Sequence, residues 1–304
     1  MRVFVTGASG WIGSAVVPRL VGAGHQVVGL ARSDSAADAI AAAGGEVLRG
    51  SLDDLDRLGE GAAGSDGVIH LAFIHDFTQY EEANHADRRA IEAMGAALEA
   101  SDRPLVVASG LLTTADGSAA TEEDAAPPDF PRTAASTMTM QLAERGVRSS
   151  VVRLPPTVHG RGDRGFLRMI ADMARQKEVS GYIGDGSNVW PAVHRLDAAE
   201  AFVLALEQAP AGSVWHAVAD EGVPTRTIAE AIGTQLDIPV EPVAPDDAAA
   251  HFGWMGLVWG AHLPASSVLT RARLGWRPTG PSLLEDLEAG HYFEPIAQDE
   301  VGRA

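Results

Sequence analysis

The sequence is poor in residues that carry covalent or metal chemistry. Its 304 residues include no cysteine, one lysine (Lys177) and only three tyrosines. The absence of cysteine excludes disulfide bonds and thiolate metal ligands. None of the ten histidines stands in a ligand spacing such as His-x-x-x-His, so we expect no metal site.

Long apolar runs and basic residues are also scarce. No segment approaches the ~20 apolar residues of a membrane-spanning helix, and the opening MRVFVTG is too short an apolar stretch to predict a signal peptide. We therefore expect a cytoplasmic protein. The formal net charge of −18 argues against nucleic acid or an anionic membrane as a partner. A phosphate-bearing ligand would need local positive groups to offset this field.

Short apolar segments alternate with helical patterns in the first half of the chain. They predict strands at 2–6, 26–31, 46–49, 67–72, 104–108 and 150–154, and helices at 11–23, 35–44, 81–99 and 133–145. Strands that are apolar throughout and separated by helices are typical of a parallel sheet covered on both faces. The pattern predicts an α/β, Rossmann-like, doubly wound parallel sheet.

The pattern changes after residue 160. We predict a dinucleotide-binding domain at 1–160 and a smaller C-terminal lobe at 161–304, with about 190–218 returning to the sheet. Helices are expected at 165–177, 197–208 and 225–236, and a strand near 213–218. Several large aromatic residues of the lobe could line an apolar pocket or form its core: Tyr182, Trp190, Phe252, Trp254 and Trp259.

A glycine-rich turn, TGASGWIG, lies directly between the first strand and the first helix. Gly7 permits a tight turn, Gly10 lets the backbone approach a pyrophosphate, and Gly13 allows close packing of helix on strand. The helix N-terminus then offers free N–H groups to an anion. The alternative is a purely structural turn, but position and spacing favour dinucleotide binding.

The second strand ends in Ala31-Arg32-Ser33. An NAD-binding site of this architecture usually carries an acidic residue here for the ribose 2′-hydroxyl. Arg32 can instead pair with a 2′-phosphate, and Ser33 adds a hydrogen-bond donor. Unless Arg32 is merely a solvated surface residue, this position predicts NADP.

Together with DGVIHLA at 66–72, the turn resembles the short-chain dehydrogenase/reductase superfamily, and its TGxxGxxG spacing is that of the extended, epimerase/dehydratase-like branch. Three later segments are similar to family elements and follow in the family's order: 151–160, 190–207 and 269–280. The resemblance implies further cofactor contacts at Thr6, Ser9, Trp11, Ile12, Ser51, Leu52, Leu71, Ala72, Pro155, Thr157 and Val158. It also implies a small-molecule substrate and a possible homodimer through the helices at 81–99 and 133–145.

The catalytic Tyr-x-x-x-Lys pair of that family is absent. Met173 stands four residues before the only lysine, and the expected region at 128–141 contains neither tyrosine nor lysine. The family's adenine-contacting Asp is also replaced in the run Arg49-Gly50-Ser51-Leu52. The chain therefore resembles an atypical member.

Replacement groups should lie where the sheet's strands end. Ser109, after the fifth strand, is the candidate to orient a substrate oxygen, although Gly110 could hold that slot and Ser109 could simply bond the backbone. His75 (beside Asp76), Tyr80 and His159 are candidate proton donors.

Two positions near the lost pair have roles implied by the resemblance. Arg132 could hold the nicotinamide ribose or a substrate carboxylate, but it cannot act as a base near pH 7. Asn84 or Asp87 could stand in for the family's asparagine on the fourth helix. His70 is expected to be structural, while His194 and Asp197 are expected to support the turn between the lobes and a helix N-cap.

These features predict an NADP(H)-dependent oxidoreductase acting on a carbonyl or alcohol of a small molecule, an apolar one if the aromatic residues of the lobe line its pocket. One alternative is an NAD(P)-dependent epimerase or dehydratase that keeps its cofactor bound. The other is a non-catalytic NADP-binding or sensing protein, which is what loss of both tyrosine and lysine would predict.

Overall fold

Seven parallel strands form the centre of the protein in the computed structural model, which describes residues 1–74, 79–111, 114, 116–125, 127 and 132–294. The strands of the described part are β1 (Arg2–Thr6), β2 (Gln26–Ala31), β3 (Glu46–Arg49), β4 (Gly67–His70), β5 (Pro104–Gly110), β6 (Arg148–Leu154), β7 (Thr157–His159), β8 (Ser180–Ile183), β9 (Val189–His194), β10 (Ser213–His216), β11 (Asp220–Pro224) and β12 (Val240–Val243). The central sheet has the order β10-β6-β5-β4-β1-β2-β3. This order reverses between β1 and β4, and ligands of such sheets bind at that switch point. The predicted Rossmann-like fold is confirmed.

Helices cover both faces of the sheet. Those of the described part are α1 (Gly13–Gly22), α2 (Asp34–Ala42), α3 (Leu55–Ala63), α4 (Tyr80–Ala97), α5 (Thr133–Gln141), α6 (Phe166–Lys177), α7 (Arg195–Gln208), α8 (Thr225–Leu236), α9 (Ala248–Phe252), α10 (Met255–Trp259), α11 (Val268–Leu274) and α12 (Leu283–Glu288). One apolar core joins α1, α2 and α7 to the sheet, and a second joins α3, α4 and α5 to its other face. Most residues of β1, β2, β4, β5 and β6 are therefore buried on both faces, which explains their apolar sequences, whereas the edge strand β3 is largely exposed.

Helix α3 was not expected from the sequence, because its segment LDRLGEGAA contains two glycines. The glycine at 61 has a packing reason. A Cβ added there would lie 2.6 Å from the ring of Phe4, so α3 can approach the sheet only without a side chain at this position. Tertiary packing overrides the low helix propensity of this segment.

The later part of the chain contains two small sheets. In one, β9 pairs parallel with β7 and antiparallel with β11, and in the other β8 pairs with β12. The apolar core beside them contains Trp190 and Trp259, whose rings meet edge to face at 4.8 Å. Phe252 and Tyr182 are buried as well. Four of the five aromatic residues left open between pocket and core thus belong to the core, and only Trp254 is exposed.

None of the helices in the described ranges combines the length and apolar character needed to cross a membrane. Within the same residues, no three His, Asp or Glu side chains form a group that could hold a metal ion. A homodimer contact through α4 and α5 stays a prediction.

Candidate active site

The glycine turn packs backbone against backbone at the switch point of the sheet. Gly7 has φ +65°, and a Cβ there would lie 2.7 Å from the amide nitrogen of Ala72 and 2.8 Å from the carbonyl carbon of Leu71. A Cβ on Gly13 would lie 2.0 Å from the carbonyl oxygen of Gly7, and one on Gly10 3.1 Å from the same oxygen. The turn can therefore keep this shape only with glycine at Gly7 and Gly13.

The start of α1 is open to an anion. Its first turn contains no acidic residue, and Ile12, at the N-cap, makes no side-chain capping bond. Ser9 and Gly10 are exposed beside it. Free N–H groups and the positive end of the helix dipole favour a phosphate at such a place. The residues present thus fit the pyrophosphate of a dinucleotide.

The end of β2 carries an exposed cation. Within the described residues, Arg32 makes no hydrogen bond or ion pair, whereas its neighbour Asp34 pairs with Arg49 at 2.6 Å. The hydroxyl of Ser33 caps α2 by accepting a hydrogen bond from the amide of Ala36 at 3.2 Å. Arg32 therefore has its full donor set available to a ligand.

The turn after β3 is braced by its own side chains. The amide of Ser51 donates to Asp54 at 2.8 Å, and the hydroxyl of Ser51 accepts from the amide of Asp53 at 3.2 Å. Leu52 packs on the core that contains α3 and α4. This turn is fixed without the aspartate that the family places there.

Trp11 ties the glycine turn to the segment after β6. Its indole N–H donates to the carbonyl oxygen of Val158 at 2.8 Å, and the guanidinium of Arg195 lies 4.3 Å above its ring. Pro155 and Thr157 are buried on the same segment. The Trp11 side chain therefore holds β7 and α7 against the turn.

Ser109, on β5, is paired with a residue that sequence reasoning missed. Its hydroxyl oxygen lies 2.9 Å from that of Ser136 on α5, and both side chains are almost fully buried. Ser136 follows Arg132 by one helical turn, and its amide donates to the carbonyl of Arg132 at 3.1 Å. The Tyr-x-x-x-Lys pair has the same four-residue spacing, which is the one sequence signal that could have pointed to Ser136.

A chain of buried hydrogen bonds runs from the glycine turn into α4. The amide of Ala72 donates to the hydroxyl of Thr6 at 3.3 Å, and that hydroxyl lies 2.7 Å from Nδ1 of His70. Nε2 of His70 lies 3.1 Å from Oδ1 of Asp87. Because an ionised carboxylate only accepts hydrogen bonds, Nε2 of His70 is the donor to Asp87. In the tautomer that carries its proton only on Nε2, Nδ1 accepts a hydrogen bond from the Thr6 hydroxyl.

The chain of hydrogen bonds ends at Arg132, the residue before α5. Its Nη2 donates to Oδ2 of Asp87 at 3.1 Å and to the carbonyl oxygen of Ala108 at 2.9 Å. The Phe73 ring lies 4.2 Å from the guanidinium. Asp87 is fully buried, while the Arg132 side chain keeps 15% of its surface exposed. Part of the Arg132 side chain thus remains accessible beside the end of β5.

The charge state of Asp87 follows from these contacts. Burial acts to raise the pKa of Asp87, but the hydrogen bond from His70 and the charge of Arg132 outweigh it and hold that pKa below its ordinary value. Asp87 is therefore an anion at neutral pH. Asn84, the other candidate on α4, donates its amide to the carbonyl of Tyr80 at 2.7 Å and does not join the chain.

Tyr80 is linked to the Arg132 end of the hydrogen-bond chain through the ring of Phe73. At the start of α4, its ring meets that of Phe73 edge to face at 6.0 Å, and Phe73 in turn packs on Arg132. His75 and its neighbour Asp76 lie outside the described residues. Of the candidate proton donors that the structure describes, Tyr80 is the one near Arg132.

The expectation for His159 needs correction. Its side chain is fully buried, and its Nδ1 lies 2.9 Å from Oδ2 of Asp286 on α12. The ring of His194 packs against it at 5.5 Å. These contacts leave no surface of His159 exposed, so it has no access to a substrate and is removed from the candidate proton donors.

Asp197 also has a different task from the one expected. It accepts hydrogen bonds from the amides of Thr279 at 3.0 Å and Gly280 at 2.9 Å. His194 stands at the N-cap of α7 but makes no capping bond. Asp197 therefore anchors a turn of the C-terminal segment instead of capping its own helix.

The comparison with known families agrees with this geometry, since residues 3–217 match the NAD-dependent epimerase/dehydratase family. The chain belongs to this family. It is accordingly an NAD(P)-dependent enzyme of the short-chain dehydrogenase/reductase type, as the sequence resemblance predicted.

Similar proteins extend over nearly the whole chain. A Schizosaccharomyces pombe protein described as uncharacterised is 50% identical over 295 residues, which is 96% of this chain and 100% of that protein. A ketoreductase of Stigmatella aurantiaca, acting on 4-hydroxy-2-methyl-3-oxo-4-farnesyl-3,4-dihydroquinoline-1-oxide, is 29% identical over 87% of this chain and 84% of its own. The dTDP-glucose 4,6-dehydratase DesIV of Streptomyces venezuelae, solved with NAD, has a TM-score of 0.75 at 18% identity, covering 96% and 97% of the two chains. That structure supports the fold alone.

Proposed function

We propose that this protein is an NADP(H)-dependent oxidoreductase that interconverts a carbonyl group and an alcohol on a small molecule. The observation that carries the proposal is the Ser109–Ser136 hydroxyl pair, which lies beside Arg132 at the same edge of the sheet as the glycine turn. A hydroxyl pair and a guanidinium at this edge offer hydrogen-bond donors to a carbonyl oxygen as negative charge develops on it.

The chemistry divides among these groups. Bound NADPH would supply the hydride to the carbonyl carbon. Ser109 donates a hydrogen bond to the carbonyl oxygen, and Arg132 binds the nicotinamide ribose or a substrate carboxylate. The Tyr80 hydroxyl gives its proton to the oxygen and regains one from water, so that ketone, NADPH and a proton yield alcohol and NADP⁺.

The preference for NADP rests on Arg32. It is exposed, has no partner in the described residues, and stands where an NAD-specific site carries an acid. A guanidinium can bind a 2′-phosphate through two parallel hydrogen bonds. Because the net charge of −18 repels a phosphate-bearing ligand, binding of the 2′-phosphate needs a local cation such as Arg32.

The substrate class is supported by likeness and by the local side chains. The Stigmatella relative is a ketoreductase, and the substrate after which it is named carries an apolar farnesyl chain. In this chain, Phe73 and Tyr80 place aromatic rings beside Arg132. We propose an apolar ketone or the corresponding alcohol.

Purified protein incubated with NADPH and a panel of apolar ketones tests the proposal. We expect NADPH consumption matched by alcohol formation, much slower turnover with NADH, and a large loss of rate in Ser109→Ala. Ser149→Ala is the matched control, because Ser149 is a buried serine on β6 without a hydrogen-bond partner in the described residues.

Two other results would overturn the proposal. Tight NADPH binding without oxidation of the cofactor across the panel would favour a cofactor-sensing protein. Protein that purifies with tightly held NAD(P) and converts a sugar nucleotide without net redox change would favour an epimerase or dehydratase.

A further inference from the structure

The hydrogen bonds of the buried chain from Thr6 to Arg132 converge on Asp87. The Ala72 amide donates to Thr6, Thr6 donates to His70, and both His70 and Arg132 donate to Asp87. The polar groups of Thr6, His70 and Asp87 are all matched, which is the condition under which a buried polar network rigidifies a site.

One end of this hydrogen-bond chain lies at the glycine turn, and the other end lies at the Ser109–Ser136 pair. Ala72 is the residue whose amide touches Gly7 across the glycine turn. Arg132 bonds the carbonyl of Ala108, next to Ser109, and precedes Ser136 by one turn. The chain therefore connects the cofactor turn with the serine pair through side chains that water does not reach.

Arg132 has more donors than its protein partners use. Both known bonds come from Nη2. Its Nε is buried without a partner, and Nη1 has none in the described residues. A guanidinium that only neutralised Asp87 would be expected to present two nitrogens to the carboxylate in parallel. Here one nitrogen makes the pair, and Nη1 keeps its donors for a ligand.

We propose that Thr6, His70 and Asp87 are positioning residues that hold Arg132 as the cation of the cofactor site, in place of the lysine of the absent Tyr-x-x-x-Lys pair. This inference rests on the proposed function only for its effect on turnover. Its effect on NADPH affinity requires no chemistry at all.

The decisive experiment is a double-mutant cycle between Asp87→Asn and Arg132→Met. Each single change leaves one buried charge without its partner, which destabilises the fold and weakens NADPH binding. The double variant removes both charges, so it regains thermal stability. If Arg132 acts on the cofactor, NADPH affinity stays at least about tenfold below that of the native protein, the loss of one charge-assisted hydrogen bond.

Thr6→Val tests the far end of the chain without removing a charge. The substitution keeps the shape of the side chain but leaves Nδ1 of His70 without its donor. We expect weaker NADPH binding and a lower kcat, both rescued by Thr6→Ser. Arg148→Met is the matched control: Arg148 also bonds two backbone carbonyls, those of Leu206 and Ala209, but at the other end of the sheet. It should lose stability without losing NADPH affinity.

The proposal is overturned if the double variant regains native NADPH affinity along with its stability, because Arg132 would then serve only to neutralise Asp87. It is equally overturned if Thr6→Val binds NADPH and turns over like the native protein. If the native protein binds NADPH but reduces no ketone, the proposed function fails. The NADPH affinities of the variants still decide whether Thr6, His70 and Asp87 position Arg132.

Discussion

The hydroxyl oxygens of Ser109 and Ser136 lie 2.9 Å apart, joining the end of β5 to the helix that carries the catalytic tyrosine and lysine in the family. Neither residue can serve as a strong acid, but together they form a donor pair whose orientation is fixed by burial. In the proposed reaction, serine and arginine therefore stabilise the substrate oxygen by hydrogen bonds, and a separate group donates the proton.

Ser136→Ala should therefore behave like Ser109→Ala. Ser109 would lose the partner that orients its hydroxyl, so kcat should fall by about tenfold or more while NADPH affinity changes little. Steady-state kinetics and fluorescence titration with NADPH measure the two effects. Thr139→Ala on the same buried helix face, where the hydroxyl bonds the backbone of Ala135, is the control. Native kcat in Ser136→Ala would contradict the serine pair.

Arg32→Glu should exchange the cofactor preference. The carboxylate would repel a 2′-phosphate and accept hydrogen bonds from a ribose 2′-hydroxyl. We expect NADPH affinity to fall by about tenfold or more and NADH affinity to rise, measured by paired titrations. Arg277→Glu, an exposed arginine of the C-terminal segment, controls for the added negative charge. An unchanged NADPH-to-NADH ratio in Arg32→Glu would show that Arg32 takes no part in cofactor choice.

Trp11→Phe keeps an aromatic ring but removes the hydrogen bond to Val158. The loss should lower the free energy of unfolding by about 1 kcal/mol and weaken NADPH binding, because β7 is no longer tied to the glycine turn. Trp190→Phe removes a similar bond, to Val258, in the apolar core beside the small sheets. It should cost more stability than Trp11→Phe, because the Trp190 ring is fully buried, without altering NADPH affinity. Equal effects of both changes on NADPH binding would contradict this role of Trp11.

His216, at the end of β10, predicts a pH dependence of stability. Its Nδ1 lies 2.8 Å from the carbonyl oxygen of Ser266, and Arg153 lies 3.4 Å from its Nε2. Burial lowers the pKa of His216 from 6.5 to about 4. Between these values the unfolded chain binds the proton and the folded protein does not, so stability is complete above pH 6.5 and falls as the pH drops toward 4, by about 3 kcal/mol.

Denaturant unfolding at several pH values tests this directly. His216→Gln should be less stable at pH 7, yet lose less stability between pH 6.5 and 4 than the native protein. Ser267→Ala, which removes a buried hydrogen bond to the carbonyl oxygen of Val218 without changing a titratable group, should lower stability but retain the native slope. Parallel pH profiles for the native protein and His216→Gln would contradict the assignment.

The main sheet could be predicted because its central strands are buried on both faces, so each of them is a short apolar run between helical patterns. The small sheets could not. Strand β9, which contains Pro191, and β8 have four to six residues each in glycine-rich sequence. Their pairing depends on contacts with distant segments, which no local pattern encodes.

The site shows the same division between local and distant information. The glycine turn and Arg32 could be recognised from local spacing. The buried chain of hydrogen bonds from Thr6 to Arg132 could not be recognised, because Thr6 and His70 are 64 residues apart and Asp87 and Arg132 are 45 apart. His159 was misplaced for the same reason, since its partner Asp286 lies 127 residues later in the chain.

Deuterium transfer tests the central claim most directly. NADPH labelled with deuterium at nicotinamide C4 is incubated with the purified protein and an apolar ketone, and the product is analysed by mass spectrometry. The account predicts one deuterium on the carbinol carbon of the alcohol, strongly reduced in Ser109→Ala. Bound, unoxidised NADPH and unlabelled ketone, recovered across the whole panel, would contradict it.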